Sequence, residues 1–207
     1  MKRRPARSPD AAEGSETIGL RIVGGKLRGS KLAYSGDLRT RPMKDRLREA
    51  VFNLVGPSVV GTHAIDLFAG TGALGLEAIS RGAERATLIE RHLPTCELVK
   101  KNAAALGIGE QVEVVFADAF LWGRGNRQRH PLPTDRPWLV FCSPPYDFYV
   151  DRQAEMLGLI ERLIAAAPPE SQFVVEADER FDFGLLPQPA DWDVRKYPPA
   201  VVGILAK

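Results

Sequence analysis

From residue 62 onward the chain alternates short apolar stretches with helical ones, and this alternation constrains the fold more than any other feature. Strands are expected at Ala64–Phe68, Ala86–Glu90, Val112–Phe116, Trp138–Cys142, Phe173–Glu176 and Ala200–Leu205. Helices are expected at Leu74–Arg81, Leu93–Leu106 and Arg152–Ala166, with a weaker piece near Phe181–Leu185. The strands are rich in Val, Ile, Leu and Phe, which argues for a sheet covered on both faces. The expected fold is α/β, a doubly wound, Rossmann-like sheet. Its ligand site should lie beyond the C-terminal ends of the strands, near the switch in strand order. The polar segment 123–137, rich in Gly, Arg and Pro, reads as a long loop.

The first 60 residues differ. Residues 1–17 are polar and aperiodic and read as a disordered basic arm. In residues 19–34, the stretches Leu20–Val23 and Lys31–Tyr34 flank Gly24, Gly25 and Gly29, a β-hairpin pattern. Residues 43–55 place Met43, Leu47, Val51 and Leu54/Val55 on one helical face, with Lys44, Arg46 and Arg48 on the other. Gly56-Pro57 ends that helix. The expected organisation is an arm over 1–17, a hairpin-and-helix extension over 18–57 and the α/β domain over 58–207.

Charge follows the same division. Residues 1–48 hold 13 Lys/Arg against 5 Asp/Glu, a net of +8, while the remainder carries −6. A cationic N-terminal part suits a polyanionic partner, although a solvated basic surface would look alike. Apolar residues make up 44% of the 207, enough for one well-filled domain. No apolar run approaches the ~20 residues of a membrane helix, and no secretory signal is visible. Cys96 and Cys142 form no CxxC pair, so neither a disulfide framework nor a metal site is expected. The expected setting is cytoplasmic.

Two motifs carry chemistry. Gly70, Gly72 and Gly75 match G-x-G-x-x-G between a strand and a helix, a pattern shared by several nucleotide-binding folds. Asp66 precedes it by four residues and would repel a pyrophosphate, but suits a ligand bearing an ammonium and a sulfonium. Glu90, ending the next strand, can accept from ribose hydroxyls. Asp118, after the third, can accept from an adenine amine, with Ala119 offering its N–H. Phe68, Ala69, Arg91 and Ser143 belong to the same expected cofactor site. A competing reading makes these carboxylates helix caps. The second motif is Ser143-Pro144-Pro145-Tyr146, closing an apolar strand. Its prolines lock φ and remove two donors, which leaves carbonyls aimed outward at an exocyclic amine. Tyr146 offers an aromatic face to a base. A rigid surface turn would have the same sequence. The three histidines, His63, His92 and His130, are scattered and receive no role.

The chain resembles the RsmD family, bacterial small-subunit ribosomal RNA guanine-N2 methyltransferases. The resemblance spans roughly residues 20–205. It is carried by Arg21-Ile-Val-Gly-Gly-Lys-Leu-Arg-Gly-Ser-Lys-Leu32, by Arg41-Pro-Met-Lys-Asp-Arg-Leu-Arg-Glu-Ala-Val-Phe-Asn53, by Asp66-Leu-Phe-Ala-Gly-Thr-Gly-Ala-Leu-Gly-Leu-Glu77, by Leu88-Ile-Glu90 and by Lys101-Asn102. It implies S-adenosyl-L-methionine as cofactor and 16S rRNA in an assembling 30S subunit as partner; a 22.7 kDa basic-armed chain with no evident dimer seam is expected to be a monomer. It implies that Ser143 and Pro144 accept the amine's N–H groups and that Tyr146 stacks on the guanine. Arg21, Lys26, Arg28, Arg39, Arg41, Lys44, Arg46 and Arg48 are the implied phosphate contacts, though Arg41 and Arg46 could instead pair with Asp45 or Glu49. Three positions depart from the family. Ser143 stands where the family has Asp, Tyr197-Pro-Pro199 replaces a Tyr-Gly turn, and Met43 replaces Thr. Competing functions are a methyltransferase of DNA adenine or protein glutamine, an RNA-binding assembly factor with weak activity, and an NAD-dependent oxidoreductase.

Overall fold

The structure, a computed structural model, describes residues 19–36, 42–125 and 131–207. The basic arm, Arg39, Arg41, His130 and part of the 123–137 loop lie outside the described residues. Seven strands form one sheet in the order β3-β2-β1-β4-β5-β7-β6. They are β1 His63–Asp66, β2 Arg85–Glu90, β3 Val112–Phe116, β4 Trp138–Cys142, β5 Gln172–Asp178, β6 Asp193–Tyr197 and β7 Ala200–Ala206. The first five are parallel, and β7 returns antiparallel between β5 and β6. Strand order reverses between β1 and β4, where a doubly wound sheet opens a crevice.

The helices are α1 Asp45–Val55, α2 Ala73–Ser80, α3 Leu93–Ala105, α4 Ala119–Arg124, α5 Phe148–Asp151 and α6 Gln153–Ala166. Two apolar layers sandwich the sheet. Ile65, Val140, Cys142, Phe173 and Val175 face α4 and α6. Ala64, Leu88, Leu139, Phe141 and Val174 face α1, α2 and α3. Neighbouring residues on a strand thus enter opposite layers, as the period of two requires. No helix among the described residues is long and apolar enough to cross a membrane.

The N-terminal segment is part of the second layer. Leu20, Ile22, Leu32, Val51, Phe52 and Val55 are buried in the same cluster as the sheet. The expected hairpin is reduced to a single antiparallel bridge, Arg21 to Lys31, with Ile22 N–H donating to Ser30 and Leu32 N–H to Leu20. What fixes this segment is α2. Lys26 N–H donates to the Ser80 carbonyl at 2.7 Å and Leu27 N–H to Ser80 Oγ at 2.9 Å. Ala33 exchanges two hydrogen bonds with the Asn102 amide, at 2.8 and 3.0 Å. Gly25 adopts φ +74°, and a Cβ there would lie 2.1 Å from the Ser80 carbonyl oxygen, so only glycine fits.

At the centre of this contact is a buried ion network. Glu77, fully buried on α2, accepts from Val23 N–H at 3.1 Å, from Arg48 Nε at 2.8 Å and from Arg81 Nε and Nη2 at 3.0 and 2.8 Å. Arg48, also fully buried, further donates to the carbonyls of Met43 and Arg21 and to Asp45. The expectation that Arg48 meets RNA phosphate is therefore corrected. Its guanidinium is inside the protein and committed to two carboxylates and two carbonyls. Removing Arg48 strips the fully buried partner from Glu77 and leaves it only Arg81 and one backbone N–H, at a cost of up to about 3–5 kcal/mol. Arg48→Ala should lower the denaturant midpoint accordingly, whereas Arg48→Met combined with Glu77→Leu should restore most of the loss. Equal midpoints for Arg48→Ala and the native protein would refute this role.

Candidate active site

The candidate site is assembled from five strand ends. Asp66 closes β1 and is paired in register with Phe141 of β4, two residues before Ser143. Beyond it the chain turns through Phe68, Ala69, Gly70 and Gly72. Ala69 N–H donates to the Ile89 carbonyl and Gly72 N–H to the Ala69 carbonyl, at 2.9 and 2.7 Å. Gly72 takes φ +76°, and a Cβ there would meet Val99 of α3 at 2.7 Å. At Gly75 a Cβ would lie 2.8 Å from Leu88, so this glycine sets the close packing of α2 on β2.

The three expected carboxylates have different bonding. Asp66 is 1% exposed, and its Oδ1 has no hydrogen-bond partner among the described residues. Burial pushes its carboxyl up to about 7, against the lowering effect of backbone N–H groups at Phe68 and Gly75. A cation brought to this oxygen would favour the ionised form. Glu90 reaches from β2 to the turn, where Oε2 accepts from Gly70 N–H at 2.9 Å and Oε1 from His92 N–H at 2.8 Å. Each oxygen keeps a second lone-pair direction.

Asp118 is the N-cap of α4, its Oδ1 accepting from Phe120 and Leu121 N–H at 2.9 and 3.1 Å. The expectation of a carboxylate free for an adenine amine is corrected to this extent. One oxygen is a helix cap, and the other stands 4.0 Å from Arg152. Ala119 N–H, first in its helix, has no intrahelical acceptor.

An aromatic group completes this side. Phe68, Phe120 and Phe148 pack with ring centroids 5.8 to 6.0 Å apart. Arg152 lies 3.8 Å over Phe120, and Arg91 lies 5.5 Å over Phe148. Nothing in the sequence marks Phe120, Phe148 or Arg152 for this group. An aromatic at the start of a short helix gives no signal of its own.

The Ser143–Tyr146 turn follows β4. Pro144 is buried, Pro145 exposed and Tyr146 half-buried. The Pro145 carbonyl closes the turn by accepting Phe148 N–H at 2.9 Å. Sequence reading missed the residue beneath the turn, Glu176 of β5, which is 6% exposed. Ser143 Oγ donates to its Oε2, and Tyr146 donates to its Oε1 at 2.7 Å. Arg180 adds a second tie from the same side, to Asp147 at 2.9 Å and Asp178 at 2.8 Å. The available signal was a glutamate inside Phe-Val-Val-Glu-Ala, where a strand covered on both faces calls for an apolar residue.

The described basic residues Arg21, Lys26, Arg28, Lys44 and Arg46 are all exposed. Arg21 also pairs with Asp45 at 2.9 Å. Arg21, Arg28, Arg46, Asp45 and Glu49 line a cleft of about 210 Å³ between the N-terminal segment and α1. His63 is at the opposite end of β1 from the site. It is bonded to Thr87 at 2.9 Å, and burial lowers its pKa to about 4.

Comparison with known proteins places these features in a family. The family model described as conserved hypothetical protein 95 matches residues 20–197. The ribosomal RNA small subunit methyltransferase D of Escherichia coli K12 is 34% identical over 183 residues, 86% of this chain and 83% of that one. The protein of the same name from Haemophilus influenzae is 33% identical over 138 residues, 65% of this chain and 68% of its own. The solved structure of Escherichia coli yhhF superposes with a TM-score of 0.70 at 31% identity, covering 91% of this chain and 97% of that one. An RNA methyltransferase from Salinibacter ruber in complex with S-adenosyl-L-homocysteine shares the fold at 18% identity, with a TM-score of 0.58 and coverage of 80% and 93%.

The Asp66 carboxyl makes a prediction about pH. Its folded pKa of about 7 exceeds the ordinary 3.8, so between these values the folded state holds the proton more tightly. Stability should then fall as pH rises through that window, by at most about 1.4 kcal/mol per unit. Asp66→Asn should melt higher than the native protein at pH 8 and close to it at pH 4. A difference that does not vary with pH would refute the buried-carboxylate account.

Proposed function

The chain belongs to the conserved hypothetical protein 95 family, the RsmD family, and on that premise we propose that it methylates the N2 amine of a guanine in 16S rRNA. The reading extends to S-adenosyl-L-methionine as donor, an assembling 30S subunit as substrate, the cytoplasm as location and a monomer as the active form. Methyltransferase activity on ribosomal RNA is the activity of the family. The observation that carries the finer reading is the placement of Asp66 and the Ser143–Tyr146 turn at the ends of adjacent strands, at the switch point.

The residues fit the cofactor. The buried, unpartnered Oδ1 of Asp66 suits an ammonium group. Glu90 holds the glycine turn through Gly70 and retains lone pairs for ribose hydroxyls. When bound, the cofactor supplies an electrophilic methyl group on a sulfonium. Everything else is positioning. The guanine amine is a weak nucleophile, so holding it in line at near-attack distance provides most of the acceleration. The Pro144 carbonyl and Ser143 Oγ accept its two N–H groups, and the prolines keep both acceptors fixed. Tyr146, anchored through its hydroxyl by Glu176, presents its ring to the base. Exposed Arg21, Lys26, Arg28, Lys44 and Arg46 hold phosphates.

The test is methyl transfer. Labelled S-adenosylmethionine and small subunits lacking native methylations are incubated with the protein, and the RNA is digested to nucleosides. N2-methylguanosine is expected. A different methylated nucleoside would overturn the guanine assignment, and no transfer by protein that binds the cofactor would overturn the activity. Replacing Lys44 and Arg46 by Ala should reduce the salt slope of RNA binding by about one unit each. An unchanged slope would remove them from the interface.

A further inference from the structure

Ser143 and Tyr146 are the only side chains of the Ser-Pro-Pro-Tyr turn that can donate a hydrogen bond, and both donate to the same buried carboxylate. The sheet dictates this. Cys142 of β4 is in register with Val175 of β5, so Ser143 and Glu176 are the next pair beyond the ladder. Both groups bonded to Glu176 here are neutral hydroxyls, and no lysine or arginine among the described residues pairs with it. Its charge is therefore anchored but not neutralised.

We propose that Glu176 is a positioning residue for methyl transfer, acting through Ser143 to make the turn an acceptor with the character of a carboxylate. The inference rests on the proposed reaction at a planar amine and deepens it. A free serine hydroxyl can donate or accept. With its proton committed to Glu176, Ser143 can present only lone pairs to the amine, and polarisation by the carboxylate makes them stronger acceptors. Once the nitrogen has taken a methyl group it is cationic. It releases one proton to Ser143 Oγ and keeps the bonding pair. The serine proton moves to Glu176, which returns it to water, so serine ends unchanged. The carboxylate one bond away opposes the transient positive charge throughout.

The test compares Glu176→Gln, Ser143→Ala and the double variant. An amide at position 176 keeps the shape but offers one acceptor oxygen to two hydroxyls and no charge to polarise Ser143. Each single variant should lose about 100-fold in kcat with little change in KM for RNA. The double variant should lose no more than either, because the two residues act as a unit. Cofactor affinity by calorimetry and melting temperature should stay near native values. Ser143→Asp in the Glu176→Gln background should recover most of the rate. Multiplying losses, or loss of rate only in step with melting temperature or cofactor affinity, would overturn the proposal. Ser143→Ala keeps the test decisive if Glu176→Gln does not fold, since an unimpaired Ser143→Ala enzyme would refute the relay. The identity of the methylated nucleoside in the native reaction tests the guanine reading separately, and the variant ratios do not depend on it.

Discussion

The Glu77 carboxylate sets the arrangement of the whole N-terminal half. A buried carboxylate is tolerated only when its lone pairs are met, and Glu77 has four donors on its two oxygens. Those donors come from the N-terminal segment, from α1 and from its own helix. The consequences extend to backbone choice. A Cβ on Gly24 would lie 2.1 Å from the Arg81 guanidinium, and one on Gly25 would strike Ser80. Two glycines, two arginines, a serine and a glutamate therefore form one packing unit. Because α2 begins directly after the glycine turn, that unit joins the cofactor side of the molecule to the exposed cations of the N-terminal segment. The exposed cations and the glycine turn therefore share one rigid frame.

The protein contains a second buried glutamate with the opposite use. Glu77 is saturated by guanidinium groups and a backbone N–H and has little capacity left. Glu176 receives two neutral hydroxyls and no cation among the described residues, and in the proposed reaction its charge faces a group that becomes positive. Burial strengthens such an interaction because the local dielectric is low. The two residues show why a buried carboxylate cannot be assigned a role from burial alone. What separates them is the charge of their partners.

The strands and long helices were legible because apolar period and turn residues agree along most of the chain. Val112–Phe116 and Trp138–Cys142 fall where the sequence places them. β6 was missed because Asp-Val-Arg-Lys-Tyr is an exposed edge strand with no apolar face to betray it. α4 was missed because six residues are too few for a helical period. In the site, the glycine turn and the Ser-Pro-Pro-Tyr turn are local in sequence and could be read directly. Arg48 was misassigned because charge pattern reports the number of cations, while only packing reports which of them turns inward. Glu176 looks in sequence like an ordinary strand end, because its partner Ser143 is 33 residues away. Asp118 illustrates the remaining ambiguity, since a cap and a ligand acceptor have the same residue at the same place.

The same topology explains how a serine can stand at the head of the turn without removing acidic character from the site. Parallel strands fix register, so the residue following β4 and its counterpart on β5 meet whatever their identities. On the proposed mechanism the carboxyl function needs only to lie within hydrogen-bond reach of the amine's acceptor, directly or through one hydroxyl. Moving it from one strand end to the adjacent one changes side-chain length and chemistry but leaves the backbone, the prolines and the Pro144 carbonyl where they are. A hydroxyl bridge weakens the direct Coulomb attraction to the amine, because it lengthens the separation. It also gains a fixed direction, because the bridging proton can point only to Glu176. Alignment is the main requirement for a weak nucleophile meeting a strong electrophile, so on the proposed mechanism the exchange of strength for direction leaves the turn suited to the reaction.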